Sequence, residues 1–346
     1  MELKQAIQRV AKVCPRKKEK AALQAIRFLP AQGENTPPYL FATDGIRSAL
    51  VKVDIDQLPN VLLPSADVVK AANDPGEMDL KEIGYGKIEF HTPISSYQVQ
   101  GMNFDGYPTI PPIPSQYTPV MFWEQVSKVF HAAAKPAEVP DLAVVHFTPD
   151  YVECTDKSRL VRIEVSGPWD GLVPVTVFQT WPKGDVFTAF TSTHAFFWVG
   201  DELRMAVLAH SPDYPKTNQV VPVRHAGPFM LVETQVFRDA IRQGMKLSTL
   251  GLVLLEFGEQ PVSLKIRAWQ EKSEESSYEA EVPVLNSRPG VPGAAESVLL
   301  ITGKYLDEAL KEVDTPNVRV CYGNINDPLR IESGLFRACI WSMVYS

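Results

Sequence analysis

The chain has 346 residues, of which 45% are hydrophobic and 22% charged, a balance that excludes a disordered chain. No apolar run approaches the roughly 20 residues needed to cross a bilayer, and the N-terminus lacks the apolar stretch of a secretory signal. The four cysteines are far apart and form no CxxC pair, which disfavours a disulfide scaffold or a cysteine zinc site. We therefore expect a cytoplasmic protein whose first residues form a structural helix. The length predicts two or three domains, because a single core rarely grows beyond about 250–300 residues.

The charge is distributed unevenly. Lys and Arg number 34 and Asp and Glu 41, giving a net charge of −7. Residues 1–20 hold seven basic and two acidic side chains, a net +5, so the remaining 326 residues sum to −12. A chain this acidic cannot coat nucleic acid with its whole surface, because phosphate attraction needs local positive charge. Any DNA contact must be confined to one face.

Two proline clusters, at 107–119 and 211–228, divide the chain near one third and two thirds. The predicted domains are 1–115, 118–226 and 228–346. Each opens with apolar residues at helical spacing: Leu3, Ala6, Ile7, Val10 and Ala11, then Phe122, Val126, Val129, Phe130 and Ala133, then Val236, Phe237, Ala240 and Ile241. Three such openings at near-equal spacing indicate a domain-scale internal repeat.

Strand-like runs follow each opening, at 39–55, 143–165 and 252–269. Alternation at 161–165 and 264–268 is typical of half-buried antiparallel strands. A second helix is predicted at 64–74 and at 302–314, with a weaker equivalent at 174–182. The predicted fold class is α+β, with helix, strands, helix and strands repeated three times.

Motifs that carry chemistry are missing from the sequence. The six histidines show no metal-ligand spacing, and neither a phosphate-binding glycine loop nor a nucleophile elbow is present. Asp44 and Asp156 each follow a threonine; they are either turn-stabilising residues or, less simply, a catalytic carboxylate pair. We predict no catalytic residue, no metal and no cofactor, and therefore a protein that is not an enzyme.

Basic residues recur opposite the apolar stripes of the helices. Such residues usually do no more than solvate a surface helix. The same basic face returns in each repeat, however, and these side chains are the positive exceptions in an acidic chain. Residue pattern alone leaves solvation and DNA contact both open.

Several segments resemble one family. GKYLDEALKEVDTPNVRVCYGNINDPLRIES (303–333) is similar to the last-domain signature of the bacterial beta sliding clamp, the processivity factor of DNA polymerase III. FATDGIR (41–47), LPSADVVKAAND (63–74), ECTDKSRL (153–160), SPDYP (211–215) and SYEAEV (277–282) resemble other elements of that family in the correct order. The resemblance implies three clamp domains per chain, with helices inside and antiparallel sheets outside. It also implies a homodimer that closes head to tail as a ring around double-stranded DNA.

The resemblance also implies site residues. Sequence-independent DNA contacts would come from Lys12, Arg16, Lys17, Lys18, Lys70, Lys128, Arg238, Arg242 and Lys304. The dimer seam would use Tyr107 and Ile110 on one side and Met245 and Leu247 on the other. A groove for clamp-binding peptides of the replicative polymerase, the clamp loader and other partners would use Leu142, Thr155, Lys157, Arg159, Leu160, Pro212, Val220, Cys339, Trp341, Ser342 and Met343.

The sequence departs from the family pattern at this groove. Lys157 replaces a small residue, and Trp341 and Ser342 stand where the family has methionine and proline. We therefore expect a retuned groove in a divergent clamp, such as one carried by a phage or another mobile genome. The alternatives are a monomeric clamp-fold adaptor that has lost the ring, or an enzyme that uses Asp44 and Asp156 together.

Overall fold

The computed structural model describes residues 1–15, 22–32, 36–55, 57–120, 123–178, 184–211, 213–219, 221, 227–257, 262–270, 273–288, 297–323 and 327–342. The chain divides into two compact units. Unit 1 comprises Met1–Trp123 and Pro168–Ala209, and unit 2 comprises Glu124–Gly167 and His210–Ser346.

The described elements are helices and strands in alternation along the chain. The α-helices are α1 (Leu3–Val10), α2 (Ser65–Ala72), α3 (Trp123–Ser127), α4 (Thr234–Leu247) and α5 (Gly303–Lys311). The strands of the first half are β1 (Ala25–Leu29), β2 (Tyr39–Thr43), β3 (Arg47–Lys52), β4 (Val61–Pro64), β5 (Asp79–Gly84), β6 (Lys87–His91), β7 (Ser96–Gln100), β8 (Thr118–Pro119), β9 (Val144–Phe147), β10 (Val152–Thr155), β11 (Arg159–Ile163) and β12 (Gly171–Pro174). Those of the second half are β13 (Val186–Phe190), β14 (His194–Val199), β15 (Glu202–Val207), β16 (Phe229–Glu233), β17 (Leu252–Phe257), β18 (Ser263–Gln270), β19 (Ser273–Arg288), β20 (Ser297–Thr302), β21 (Asn317–Cys321), β22 (Leu329–Ser333) and β23 (Phe336–Ile340).

Unit 1 is built on an eight-stranded sheet in the order β4-β1-β2-β3-β15-β14-β13-β8 and a three-stranded sheet in the order β5-β6-β7. Helices α1 and α2 contact each other and pack against the first sheet. The buried stripe of α1 is Leu3, Ala6, Ile7 and Val10, which joins one core with Phe28 and Phe90. A stripe at this spacing places its members on one face of a helix, and burial of that face stabilises so short an element.

In unit 2 the strands follow the order β9-β10-β11-β23-β22-β21-β16-β19-β18-β17-β20. Strand β19 is 16 residues long and pairs antiparallel with both β16 and β18. Helices α4 and α5 contact each other. Phe237, Ala240 and Ile241 of α4 and Leu306, Ala309 and Leu310 of α5 are buried.

Strand pairing joins neighbouring thirds of the chain. In unit 1, β3 of the first third pairs antiparallel with β15 of the middle third. In unit 2, β11 of the middle third pairs antiparallel with β23 of the last third. The middle third therefore contributes strands to both units. The division into three domains at 115–118 and 226–228 stays a prediction.

The predicted helix pairs of the first and last thirds are confirmed, but two details are wrong. Val236 was expected in the apolar stripe of α4, yet it is exposed, because the buried face of the helix passes through Thr234, Phe237 and Ile241. The helix expected at 174–182 is a 3₁₀ turn over Val175–Phe178 in its described part. Three successive β-branched residues, Val175, Thr176 and Val177, disfavour an α-helix there.

The opening helix of the middle third is also shorter than expected. Helix α3 ends at Ser127, and a 3₁₀ turn follows at Phe130–Ala132. The backbone N–H groups of Lys128 and Val129 donate to the carbonyls three residues earlier, which is 3₁₀ geometry. Val126 and Val129 are nevertheless buried as the stripe predicts, and Phe122 lies outside the described residues.

Candidate functional site

One turn occurs twice, once in each unit. In unit 1, Asp44 Oδ1 accepts hydrogen bonds from the backbone N–H groups of Ile46 and Arg47, each at 2.9 Å. In unit 2, Asp156 Oδ1 accepts from Ser158 and Arg159, each at 3.1 Å. Each aspartate also holds the arginine Nε of its own turn, at 2.9 and 3.0 Å. Both aspartates are therefore turn-stabilising residues, as the simpler interpretation predicted.

The two turns have the same backbone conformation at a position where their residue types differ. Gly45 has φ +88° and Lys157 has φ +79°, so both occupy the left-handed region that favours glycine. The backbone N–H of each donates to the hydroxyl of the preceding threonine, Thr43 or Thr155, at 3.0 and 3.3 Å. Lys157 thus replaces a small residue without changing the turn, and its exposed side chain is an addition to the surface.

Arg159 contacts more partners than its counterpart Arg47. Its Nη1 donates to Glu308 of α5 and its Nη2 donates to the carbonyl of His131 at 2.8 Å. The guanidinium also lies over the ring of Tyr305, 4.3 Å from the centroid. Arg159 is only 6% exposed, so it ties β11 to α5 and to the 3₁₀ turn at 130–132. Its hydrogen-bonding capacity is largely used within the protein.

His131 lies beside Arg159 in this cluster. Burial and the neighbouring positive charge of Arg159 lower the pKa of His131 to about 4. Its Nδ1 contacts the carbonyl of Lys128 at 2.7 Å, and its Nε2 is buried without a hydrogen-bond partner among the described residues. The neutral imidazole is therefore part of the packing that surrounds the Arg159 guanidinium.

Several predicted groove residues meet in the sheet of unit 2. Leu160 of β11 lies opposite Thr155 of β10 on one side and Cys339 of β23 on the other. The backbone N–H of Trp341 donates to the carbonyl of Ser158 at 3.1 Å, which places the indole residue beside the duplicated turn. Thr155, Leu160 and Cys339 are buried, whereas Trp341 is half-buried and Lys157 exposed. The exposed part of this site is therefore formed around Lys157 and Trp341.

The remaining groove candidates are placed as follows. Leu142 is buried at the end of a 3₁₀ turn, and Ser342 is half-buried after Trp341. Pro212, Val220 and Met343 lie outside the described residues. Burial raises the pKa of the Cys339 thiol to about 12, so it packs as a neutral side chain.

One predicted seam residue is misplaced. Tyr107 is buried in unit 1, where its hydroxyl donates to the carbonyl of Ala25 at 3.0 Å and its ring packs edge-on against Phe41. Its side chain is used inside the unit and is not available to a second chain. Ile110 is half-buried against the same core cluster. Met245 and Leu247, at the end of α4, are half-buried and stay predictions.

The basic candidates of unit 1 lie on its helices. Lys12 is exposed in the 3₁₀ turn that follows α1, and this stretch carries Lys4, Arg9 and Lys12 but no acidic residue. Lys70 of α2 is exposed, with its ammonium 6.0 Å from the Tyr97 ring centroid. Arg16, Lys17 and Lys18 lie outside the described residues.

The basic candidates of unit 2 are largely paired with carboxylates. Arg238 and Arg242, one turn apart on α4, both hold Asp307 of α5, at 2.7 and 2.8 Å. Lys128 pairs with Asp314, and Lys304 lies 3.8 Å from Glu308. The side chains of Arg242 and Lys304 remain 43% and 69% exposed, so they still present positive charge at the surface. Arg238 and Lys128 act mainly as packing residues between elements.

Sequence reasoning missed a row of charged residues across the sheet of unit 2. Residues that lie opposite each other in the strand register share one face of a sheet, and here they are Glu153, Arg162, Arg337, Glu332 and Arg319. The alternation at 161–165 predicted that Arg162 would face solvent, but Arg162 is buried against the carboxylate of Glu153. The pattern was misleading because both faces of β11 are covered.

The Glu153 carboxylate is fully hydrogen-bonded. Its Oε2 accepts from Arg162 Nε and Nη2 at 3.0 and 2.8 Å, and its Oε1 accepts from the Thr217 hydroxyl at 2.7 Å and contacts His146 Nδ1 at 2.9 Å. Burial alone would raise the pKa of Glu153, but these hydrogen bonds and the charge of Arg162 outweigh it and hold the pKa below its usual value. A charge-assisted cluster therefore lies beneath Thr217.

Within the described residues, no cluster of three His, Cys, Asp or Glu side chains could hold a metal ion. In the same part of the chain, no helix is long and apolar enough to cross a membrane.

Comparisons with solved structures identify the fold. The chain is similar over 99% of its length to the DNA polymerase sliding clamp of Bacillus subtilis, with a TM-score of 0.83, 16% identity and 97% of that chain covered. It is similar to the DNA polymerase III subunit beta sliding clamp of Pseudomonas aeruginosa (TM-score 0.81, 17% identity) and to a putative DNA polymerase III beta subunit of Eubacterium rectale (0.83, 14%), with 99% of this chain and 97% of each of those chains covered. No protein-family model matches the sequence, and no curated protein matches it. The chain has the DNA clamp fold, as its sequence motifs predicted.

Proposed function

We propose that this protein is a DNA sliding clamp, a non-enzymatic processivity factor that encircles duplex DNA and tethers a replicative DNA polymerase. The observation that carries the proposal is the match over 99% of the chain to bacterial DNA polymerase sliding clamps. A fold that encloses its ligand holds it by topology, so weak, sequence-blind contacts are enough and still permit sliding.

The distribution of charge supports this proposal. The stretch Leu3–Val13 carries three basic and no acidic side chains, and α4 carries Arg238, Arg242 and Lys246 against the single acid Asp239. The chain as a whole is nevertheless acidic, at −7. Positive helices in an acidic protein attract the DNA backbone to one surface and repel it elsewhere. Because many of the unit 2 cations are paired with carboxylates, we expect the phosphate contacts to be weak.

Partner capture would occur at the peptide groove of unit 2, around Lys157, Leu160 and Trp341. Its occupants would be short linear segments of the replicative polymerase and of the clamp loader. Lys157 adds an exposed positive charge at the turn, and the half-buried indole of Trp341 adds apolar area beside it. We therefore propose a preference for peptides that place an acidic residue next to an apolar anchor.

The ring would be a homodimer of two chains with three domains each, joined through the first and third domains. Met245 and Leu247 are proposed for one side of the seam. Tyr107 is not proposed for the other side, because its side chain is buried and hydrogen-bonded within unit 1. A monomeric adaptor is the alternative, and equilibrium sedimentation at micromolar concentration distinguishes the two by mass.

Topological retention on DNA tests the proposed function. The protein is diluted until it dissociates, then concentrated in the presence of nicked circular plasmid, so that rings close around the DNA. Gel filtration in 1 M salt, where charge contacts are screened, should leave protein on the circles but none on the same plasmid cut once. Equal loss from circular and linear DNA would contradict encirclement.

A further inference from the structure

Thr217 is a buried residue between two exposed neighbours. It begins a 3₁₀ turn, Thr217–Gln219, within the proline-rich connection between the middle and last thirds. Its neighbours Lys216 and Asn218 are exposed, whereas Thr217 is 2% exposed. The backbone carbonyl of Thr217 accepts from Val221 at 2.9 Å, so the turn continues beyond the side-chain contact. The described part of this proline-rich segment is therefore attached to the body of unit 2.

The attachment is made to a buried ion pair. The Thr217 hydroxyl donates to Glu153 Oε1 at 2.7 Å and accepts from Arg162 Nη2 at 3.0 Å. One hydroxyl thus makes two charge-assisted hydrogen bonds, which are stronger and more directional than bonds between neutral groups. A buried ion pair contributes little stability compared with an apolar pair of similar volume. Its specific contribution here is two fixed hydrogen-bond partners for the connection.

One further side-chain contact holds the described part of this connection. The Tyr214 ring packs edge-on against the ring of His146, whose Nδ1 also contacts Glu153. At the other end, Gly227 approaches the guanidinium of Arg330, with an added Cβ 3.6 Å from Nη2. Arg330 pairs in turn with Glu332 of the charged row. The Thr217 hydroxyl and the Tyr214 ring therefore attach the segment Asp213–Gln219 to the cluster around Glu153.

The anchored segment lies next to predicted groove residues. Glu153 precedes Thr155 by two positions on β10, and Arg162 follows Leu160 by two on β11, so all four share one face of the sheet. The Ser211 hydroxyl donates to the carbonyl of Asp141, the neighbour of Leu142, at 3.1 Å. The same ion pair thus connects the strands under the groove with the segment beside it.

We propose that Thr217 is a positioning residue for partner-peptide affinity. With Glu153 and Arg162 it fixes the segment Asp213–Gln219 as one wall of the groove. This inference rests on the proposed function, because it assumes that the groove captures linear peptides with apolar anchors. Since the wall is fixed before the peptide arrives, binding does not bear the cost of ordering it.

Peptide binding by matched variants tests the inference. The probe is a fluorescently labelled linear peptide that places an aspartate next to a leucine and a phenylalanine, the pattern proposed above for this groove, titrated with the full chain. Thr217→Val keeps the side-chain shape but removes both hydrogen bonds, and it should weaken binding about tenfold. Thr217→Ser keeps the hydroxyl and should restore affinity to within about twofold. The control Thr188→Val removes a buried threonine hydroxyl of unit 1 and should leave affinity unchanged.

A second pair of measurements separates positioning from general destabilisation. The double variant Glu153→Leu and Arg162→Met replaces the ion pair with apolar side chains of similar volume, so it should unfold at a denaturant concentration close to that of the parent while binding peptide as weakly as Thr217→Val. Amide hydrogen exchange across Asp213–Gln219 should accelerate in both variants.

The outcomes that overturn the inference are distinct. Parent-like affinity in Thr217→Val would refute it while leaving the groove intact, as would failure of Thr217→Ser to restore binding. A parent chain that binds no peptide would refute the proposed groove, and this inference with it.

Discussion

Replacement of Arg159 should lower the free energy of unfolding, because its side chain contacts several elements of unit 2. We consider Arg159→Met, which keeps most of the side-chain volume but removes the charge and every donor. In the parent, the guanidinium donates hydrogen bonds to Asp156 at 3.0 Å, to the His131 carbonyl at 2.8 Å and to Glu308. It also lies over the Tyr305 ring. The variant leaves two carboxylates and one carbonyl without their partner.

The expected magnitude follows from burial. Arg159 is 6% exposed, and the side chains of Asp156 and Glu308 are 15% and 30% exposed. Removal of one partner from a buried pair costs about 3–5 kcal/mol, because the other charge stays buried and uncompensated. Water can reach Glu308 in part, so we expect a loss of about 3 kcal/mol in the free energy of unfolding.

The assay is urea unfolding followed by intrinsic fluorescence, applied to Arg159→Met, Glu308→Gln and the double variant. A coupling free energy of about 1–3 kcal/mol between the two positions is expected, since they share a hydrogen bond and an ion pair. Arg47→Met is the matched control, because Arg47 holds the same turn in unit 1 but, among the described residues, its side chain donates only to Asp44 and the Thr176 carbonyl. We expect it to cost about half as much, roughly 1–2 kcal/mol.

Equal losses at Arg159 and Arg47, or a coupling of zero between Arg159 and Glu308, would refute this reasoning. The additional contacts of Arg159, to Glu308, the His131 carbonyl and the Tyr305 ring, would then add nothing to the stability that the turn contact provides.

The remaining predictions concern the turn and its histidine. Lys157→Gly should raise the free energy of unfolding by about 1 kcal/mol, because glycine adopts φ +79° without steric cost. The matched change Gly45→Lys should lower the free energy of unfolding by a similar amount. A less stable Lys157→Gly variant or a more stable Gly45→Lys variant in denaturant unfolding would contradict the turn geometry. His131 has a folded pKa of about 4 against 6.5 when unfolded, so the unfolded chain binds the extra proton as the pH falls from about 6.5 to about 4. Stability should therefore fall over that window by up to about 1.4 kcal/mol per pH unit, and His131→Gln should flatten the profile; parallel profiles for the two proteins would count against a buried neutral histidine.

Local patterns were enough to predict the helix pairs of the first and last thirds. The stripe of α1 is a single apolar face that packs against a single core, so the residues at helical spacing are the same ones that are buried. The strand at Leu264–Ala268 alternates between buried and half-buried residues for the same reason. The duplicated aspartate turns were predictable because their hydrogen bonds lie within a few residues of each aspartate.

Errors arose where a third layer covers a residue. Arg162 alternates with apolar neighbours and was expected to face solvent, but its partner Glu153 and the covering Thr217 come from distant parts of the chain. The burial of Tyr107 likewise depends on a distant partner, because Tyr107 lies in a proline-rich stretch but its hydroxyl donates to the carbonyl of Ala25. The pairing of Arg238 and Arg242 with Asp307 depends on how α4 packs against α5, which no pattern within either helix specifies.

The central claim is that two chains close into a ring, and negative-stain electron microscopy of the purified protein at low micromolar concentration tests it most directly. We expect class averages of a six-lobed annulus with an open centre, two chains contributing three lobes each. Compact particles without a hole would contradict the sliding-clamp function, and isolated crescents would contradict the closed dimer.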